Sequence, residues 1–114
     1  MCVIVAKYFP GIGWAAAKNR DRKYIPELDF IESEENGVDR MMMHDLITGY
    51  KEGINSHGIS ILNTSLDVQS DEPDVEEGKS AASPDGKIIA AALLQDSVED
   101  AVKLLLNEKA KREW

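Results

Sequence analysis

The sequence predicts an α+β domain in which the strands come first and the helices follow. Between residues 2 and 66, short segments rich in β-branched, aromatic and other apolar residues alternate with turns of Gly, Pro and Asn, which is typical of antiparallel sheet. From residue 83 onward, apolar residues recur at helical spacing behind capping residues. The 114 residues suit a single domain, and the 43% hydrophobic and 30% charged residues are ordinary for a globular protein.

The first two strands are predicted at residues 2–8 and 14–19. Between them, Pro10 restricts one φ angle, while Gly11 and Gly13 permit positive φ, so the two strands are expected to form a hairpin. Further strands are predicted at residues 28–32, 38–44, 47–54 and 59–66, separated by turns at 34–37 and 55–58.

The second half of the chain is predicted to contain a mobile acidic loop and then two helices. Residues 67–82 form the loop, since they are acidic and polar with few apolar anchors. Ser83 is the expected N-cap of a helix that runs to residue 95. Asp96 and Glu99 fit a capping box for the second helix. The apolar face of that helix is predicted to contain Val98, Ala101, Val102, Leu105 and Leu106.

Composition argues against several classes of function. The net charge of −8 disfavours nucleic acid as a partner, because the chain repels phosphate. No apolar run approaches the length of a membrane helix and no export signal is recognisable, so we expect a cytoplasmic protein that does not interact with membranes. The single cysteine cannot form an internal disulfide, and His44 and His57 do not have metal-ligand spacing. We therefore expect neither a metal nor another cofactor.

Cys2 is a candidate nucleophile because of its position behind the initiator methionine. A free thiol has a pKa of about 8.5 and needs a base before it can attack. Removal of Met1 would provide one, since the α-amino group of residue 2 could then accept the thiol proton and later protonate a leaving amine.

The predicted hairpin places residues 18–21 beside Cys2, because the outer ends of its two strands are neighbours. Lys18 and Arg20 would bring positive charge, which favours a thiolate, and Asp21 could hold the new terminal ammonium group. The alternative is a solvated cluster on the surface in which these charges pair with one another.

These residues resemble the opening of a known family of N-terminal nucleophile hydrolases. The chain has a cysteine at position 2, then a strand, a turn, a second strand and Lys18-Asn19-Arg20-Asp21. This order is similar to the opening of the choloylglycine hydrolase and penicillin V acylase group, to which the acyl-coenzyme A:6-aminopenicillanic acid acyltransferases are related. The turn Gly53-Ile54-Asn55-Ser56-His57-Gly58, followed by a strand that reaches Asn63-Thr64, resembles a second motif of the group.

The resemblance implies an αββα sandwich of two antiparallel sheets between helix layers. It implies cleavage of a linear, non-peptide amide, or transfer of its acyl group, through a thioester on Cys2. Asp21 would bind the terminal ammonium group. Lys18, at a position where the group normally has arginine, and Arg20 would support the thiolate.

The resemblance also assigns the remaining site residues. Asn63 or the backbone N–H of Thr64 would donate to the oxyanion, and Asn55 would be a structural turn residue. Apart from the resemblance, His57 is interpreted either as an ordinary polar residue of its turn or as a contact for the substrate. Met41, Met42 and Met43 are read either as core packing or as the lining of an acyl-binding cleft.

Members of this group are longer and carry a second oxyanion asparagine and another arginine downstream. The chain is therefore expected to be the N-terminal part of the fold, acting on a small N-acyl amide as a homo-oligomer or with a complementary C-terminal chain. Bile salts, penicillin V, acyl-homoserine lactones and other N-acyl amides all fit the chemistry. The alternatives are a catalytically inactive, truncated homologue that acts as a binding or structural module, and an unrelated small α+β interaction protein.

Overall fold

The structure is a computed structural model that describes residues 2–21, 23–64 and 84–111. The acidic loop predicted at 67–82, the end of the strand predicted at 59–66 and the N-cap Ser83 lie outside these residues. Strands precede helices along the chain. The strands form a two-stranded sheet and a four-stranded sheet, both antiparallel.

The two-stranded sheet is the hairpin expected from the sequence. Strand β1 (Val3–Phe9) pairs with β2 (Gly13–Asn19), and Ile12 N–H donates to the Phe9 carbonyl at 3.0 Å in the turn. Gly11 and Gly13 both have positive φ, as this turn requires. The hairpin is unusual in exposing apolar side chains on both faces, for example Val5 at 61% and Trp14 at 75%.

The four-stranded sheet is a meander with the order β3-β4-β5-β6. Its strands are β3 (Leu28–Glu35), β4 (Val38–Asp45), β5 (Lys51–Asn55) and β6 (Ser60–Ile61). The strand predicted at 47–54 begins later, at Lys51, because the side chain of Asp45 holds the residues between Asp45 and Lys51 in a turn. Its Oδ1 accepts hydrogen bonds from the N–H groups of Ile47 and Thr48 at 2.9 and 3.2 Å. The last predicted strand is reduced to two residues, 60–61, in its described part.

Both helices lie on one face of the four-stranded sheet. Helix α1 (Pro84–Ala92) ends before residue 95, and α2 (Val98–Lys111) follows after a short turn. The buried core contains Met42, Ile59, Ile89, Ala92, Leu93 and Ala101. Among the described helices, none is long and apolar enough to cross a membrane.

The N-cap predicted for α2 was wrong, and its predicted apolar face is buried only in part. Its N-cap is Ser97 rather than Asp96, because the Ser97 carbonyl accepts from Ala101 N–H and its Oγ accepts from Asp100 N–H at 3.1 Å. The predicted apolar face is also divided. Ala101 is buried and Leu105 packs against the core, whereas the outward members Val98, Val102 and Leu106 are exposed. Helical spacing identified an apolar side, but only packing against α1 and the sheet selected the residues that are buried.

Candidate active site

Cys2 lies at the open end of the hairpin, next to the end of β2. The register pairs Val3 with Asn19, so the next pair outward would bring residue 2 opposite Arg20. The cysteine is buried, with 9% of its surface exposed, and its Sγ lies 3.9 Å from the backbone oxygen of Asp21. The structure therefore brings Cys2 and the 18–21 segment together, as the hairpin topology predicted.

Lys18 does not extend into solvent. Its Nζ donates to Glu52 Oε1 and to the backbone oxygen of Asn63, and both charged side chains are almost completely buried. The alternative of a solvated, self-paired surface cluster is wrong for Lys18, because its partner is an acid on β5 rather than a neighbour in sequence.

Arg20 joins the same buried group. Its Nη2 lies 3.0 Å from Asp45 Oδ2 and its Nη1 lies 3.4 Å from Glu52 Oε2. Tyr24 donates its hydroxyl to Asp45 Oδ2 at 2.5 Å. Arg20 Nε is buried and has no hydrogen-bond partner among the residues described in the structure.

Asp45 has a lowered pKa despite its burial. Burial by itself raises the pKa of this carboxyl group, because it penalises the charged form. The Tyr24 hydroxyl, the N–H groups of the 45–48 turn and the guanidinium of Arg20 together outweigh that effect and bring the pKa below its ordinary 3.8. Asp45 is therefore ionised at neutral pH.

Asp45 and Glu52 were missed by sequence reasoning. Glu52 pairs with Met43 across β4 and β5, so the two share a sheet face, and Asp45 lies two residues beyond Met43 on that same face. The available signal was an acid at the end of the apolar 41–45 segment and another inside the 50–54 segment. Neither acid stood out, because acids in half-exposed strands are ordinary.

The other predicted residues occupy different places. Asp21 follows β2 and is exposed, and its backbone oxygen faces the Cys2 thiol. Asn63 donates from Nδ2 to the Lys51 oxygen at 2.8 Å and from its backbone N–H to Glu52 at 3.3 Å, so it belongs to the buried charged group. Thr64 follows it and is exposed.

His57 is separated from this group. Its Nε2 lies 3.3 Å from Asp96 Oδ1, in the turn beyond β5 and beside the start of α2. Glu52 and Asn55 are three residues apart along β5, which corresponds to about 10 Å, and His57 lies farther on. The structure therefore does not bring His57 together with Cys2.

The three consecutive methionines divide between two faces of the sheet. Met42 is in the core, whereas Met41 and Met43 are on the opposite face. There a cavity of about 270 Å³ lies between β2 and the sheet, and its lining includes Ala16, Phe30, Met41, Met43, Ile54 and Glu52. A larger cleft, of about 530 Å³, lies at the other end of β3 and β4 and is bordered by Glu32, Glu34 and Asp39. The smaller cavity is closer to the Cys2 end of the hairpin, because Glu52, which lines the cavity, also contacts Lys18 near that end.

Within the described ranges, no group of three or more His, Cys, Asp and Glu side chains is arranged to hold a metal ion. Comparison of the chain with protein-family models gives no match. Comparisons with curated proteins and with solved structures likewise give none.

Proposed function

We propose that this chain carries the nucleophile of a cysteine N-terminal nucleophile hydrolase, which cleaves a linear, non-peptide amide or transfers its acyl group. The observation that carries the proposal is the position of Cys2. A buried thiol lies 3.9 Å from the Asp21 backbone oxygen, at the end of a hairpin whose partner strand leads into Lys18 and Arg20. The residues of the motif that resembles the choloylglycine hydrolase group therefore lie next to one another. In our proposal they belong to an αββα sandwich.

The reaction starts after removal of Met1. The α-amine of Cys2 accepts the thiol proton, and the thiolate attacks the amide carbonyl carbon to form a tetrahedral oxyanion. The ammonium group, held by the Asp21 carboxylate, returns its proton to the leaving nitrogen as the C–N bond breaks. Water then attacks the Cys2 thioester and releases the acid, while an amine in place of water gives acyl transfer.

The oxyanion needs hydrogen-bond donors about 2.7–3.1 Å from the position where its charge develops. Asn63 already uses its backbone N–H and one amide hydrogen for Glu52 and Lys51. In our proposal, the second amide hydrogen of Asn63 and the backbone N–H of Thr64 provide this function. The substrate is a small N-acyl amide, bound without a cofactor, and the partner is another copy of the chain or a complementary C-terminal chain.

The proposal is tested by measuring the intact mass of the purified chain before and after a brief exposure to a low dose of iodoacetamide near neutral pH. Cys2 is the chain's single cysteine, so one added label reports on it alone. We expect loss of Met1 and labelling faster than that of a free thiol. A p-nitrophenyl ester should also leave its acyl group on the protein as a hydroxylamine-sensitive adduct. Cys2→Ala is the control and should take up neither label.

A non-catalytic binding or structural module is the second candidate. It is favoured by the exposed apolar side chains on both faces of the hairpin, including Val5 and Trp14. Neutralisation of Lys18 and Arg20 by buried acids also favours it. This candidate predicts that Met1 is retained and that Cys2 reacts no faster than a free thiol, so the same mass measurement separates the two.

A further inference from the structure

A buried group of four charged side chains joins the hairpin to the four-stranded sheet. Lys18 lies near the end of β2 and Arg20 directly follows that strand, while Asp45 and Glu52 come from β4 and β5. The side chains of Lys18, Glu52 and Asp45 are 4%, 5% and 1% exposed, and that of Arg20 is 16% exposed. We call these four residues the charged clamp.

The charges of the clamp balance. Each cation contacts Glu52, and Arg20 also contacts Asp45, so two positive charges meet two negative ones. Removing one partner from such a buried group leaves an uncompensated charge away from water, which is strongly unfavourable. The clamp cations are thus engaged with the sheet rather than available to a substrate carboxylate.

The hairpin has little else to hold it in place. Its strands are largely exposed, and across the described residues their close contacts are mainly with each other. An isolated two-stranded hairpin is only marginally stable in water. Docking through the clamp is therefore what keeps β1 and β2 ordered against the sheet.

Cys2 depends on that docking. Extending the register by one pair would bring Arg20 opposite Cys2, and the backbone oxygen next to the Cys2 thiol belongs to Asp21, the residue after Arg20. If the cations leave the sheet, the hairpin leaves with them and carries both Cys2 and Asp21. The burial of Cys2 would then be lost, together with its placement relative to Asn63, whose backbone oxygen Lys18 contacts.

We propose that Asp45 and Glu52 are positioning residues for Cys2. By binding Lys18 and Arg20, they hold the nucleophile-bearing hairpin on the four-stranded sheet. The catalytic consequence of this role rests on the proposed function, whereas the docking role does not.

Hydrogen exchange measured by mass spectrometry tests the docking role with Glu52→Gln. We expect amides of β1 and β2 to exchange about tenfold faster or more in this variant, because an unpaired buried cation favours local opening. Amides of β4 and α1 should keep their wild-type rates. Glu32→Gln is the matched control, since Glu32 is exposed on β3, and it should leave the hairpin unchanged.

Removal of both charges of one pair distinguishes positioning from a general loss of packing. In the double variant Lys18→Met/Glu52→Leu, the pair of Arg20 with Asp45 remains balanced. Hairpin protection should return to within about threefold of wild type, as is expected when an apolar pair replaces an ion pair.

Three results would overturn the docking role. One is that the hairpin amides exchange at the same rate in Glu52→Gln as in the control. Another is that the exchange rates of β4 and α1 amides rise as much as those of the hairpin. The third is failure of the double variant to restore protection. If Glu52→Gln does not fold, the double variant decides the question, and an unfolded double variant counts against the proposal.

Acylation by the p-nitrophenyl ester tests the catalytic consequence. Glu52→Gln should form the Cys2 adduct at least about tenfold more slowly than wild type. Glu32→Gln should react at the wild-type rate. A wild-type chain that forms no adduct would disprove the proposed function, yet hydrogen exchange would still decide the docking role. A Glu52→Gln variant with an opened hairpin and an unchanged acylation rate would disprove the positioning of Cys2.

Discussion

Asn55 donates a hydrogen bond from Nδ2 to the backbone oxygen of Leu93 at 2.9 Å, and so ties the end of β5 to the residue that follows α1. The same amide donates to the Gln95 oxygen at 3.1 Å, and Oδ1 accepts from the N–H groups of His57 and Ile59. One side chain thus satisfies both the turn after β5 and the end of the helix, where carbonyl groups lack helical partners.

Replacement of Asn55 by Asp should destabilise the fold strongly. The change removes two donors and places a carboxylate against two carbonyl oxygens, so we expect a loss of about 3 kcal/mol in the free energy of unfolding. Urea denaturation measures it. Asn107→Asp on the exposed side of α2 is the control and should change stability by less than about 0.5 kcal/mol. Equal effects of the two variants would contradict the role of Asn55.

Stability should depend on pH through Asp45. Its pKa is lower in the folded chain than the ordinary 3.8, so its contribution is present above that value and is lost as the pH falls through the folded pKa. Asp45→Asn should therefore lose about 3 kcal/mol relative to wild type at pH 7, and the difference should shrink below pH 3.8.

Urea denaturation between pH 7 and pH 2.5 checks this dependence (about 1 kcal/mol of change is readily resolved). Asp39→Asn, at an exposed position of β4, should stay within about 0.5 kcal/mol of wild type at pH 7. A wild-type minus Asp45→Asn difference that stays constant over the whole pH range would show that Asp45 is not the titrating group.

Gly86→Ala should destabilise the protein, although alanine is the better helix former. A Cβ at Gly86 would lie 1.9 Å from the backbone oxygen of Gly49, in the turn before β5. We expect a net loss of about 2 kcal/mol instead of the gain of about 1 kcal/mol that helix propensity predicts. Asn107→Ala, at an exposed helical position, should show the ordinary gain in the same thermal unfolding experiment. A stabilised Gly86→Ala variant would rule out this close approach of α1 to the turn.

The start of α2 offers a direct comparison of two neighbouring residues. Ser97→Ala removes the oxygen that caps Asp100 N–H and should cost about 1 kcal/mol. Asp96→Ala removes an exposed partner of His57 and should cost less than about 0.5 kcal/mol. Chemical denaturation of the two variants side by side measures the difference, and the reverse ranking would restore Asp96 as the N-cap.

Local patterns predicted the elements that local chemistry controls. The hairpin at residues 3–19 followed from apolar strands around Pro10 and two glycines, and the strands on either side of Asn36-Gly37 followed from that turn. Errors occurred where two local interpretations competed. The side chain of Asp45 formed a turn inside a predicted strand, and Ser97 replaced its neighbour as the helix cap.

The sequence by itself determined the hairpin, and thereby the proximity of Cys2 to the 18–21 segment, because antiparallel pairing depends on spacing along the chain. Only the tertiary structure decided what Lys18 and Arg20 do. Their partners, Asp45 and Glu52, lie 25 to 34 residues away in sequence. They meet because the meander places both acids on one sheet face beneath the hairpin, an arrangement that depends on packing between separate elements.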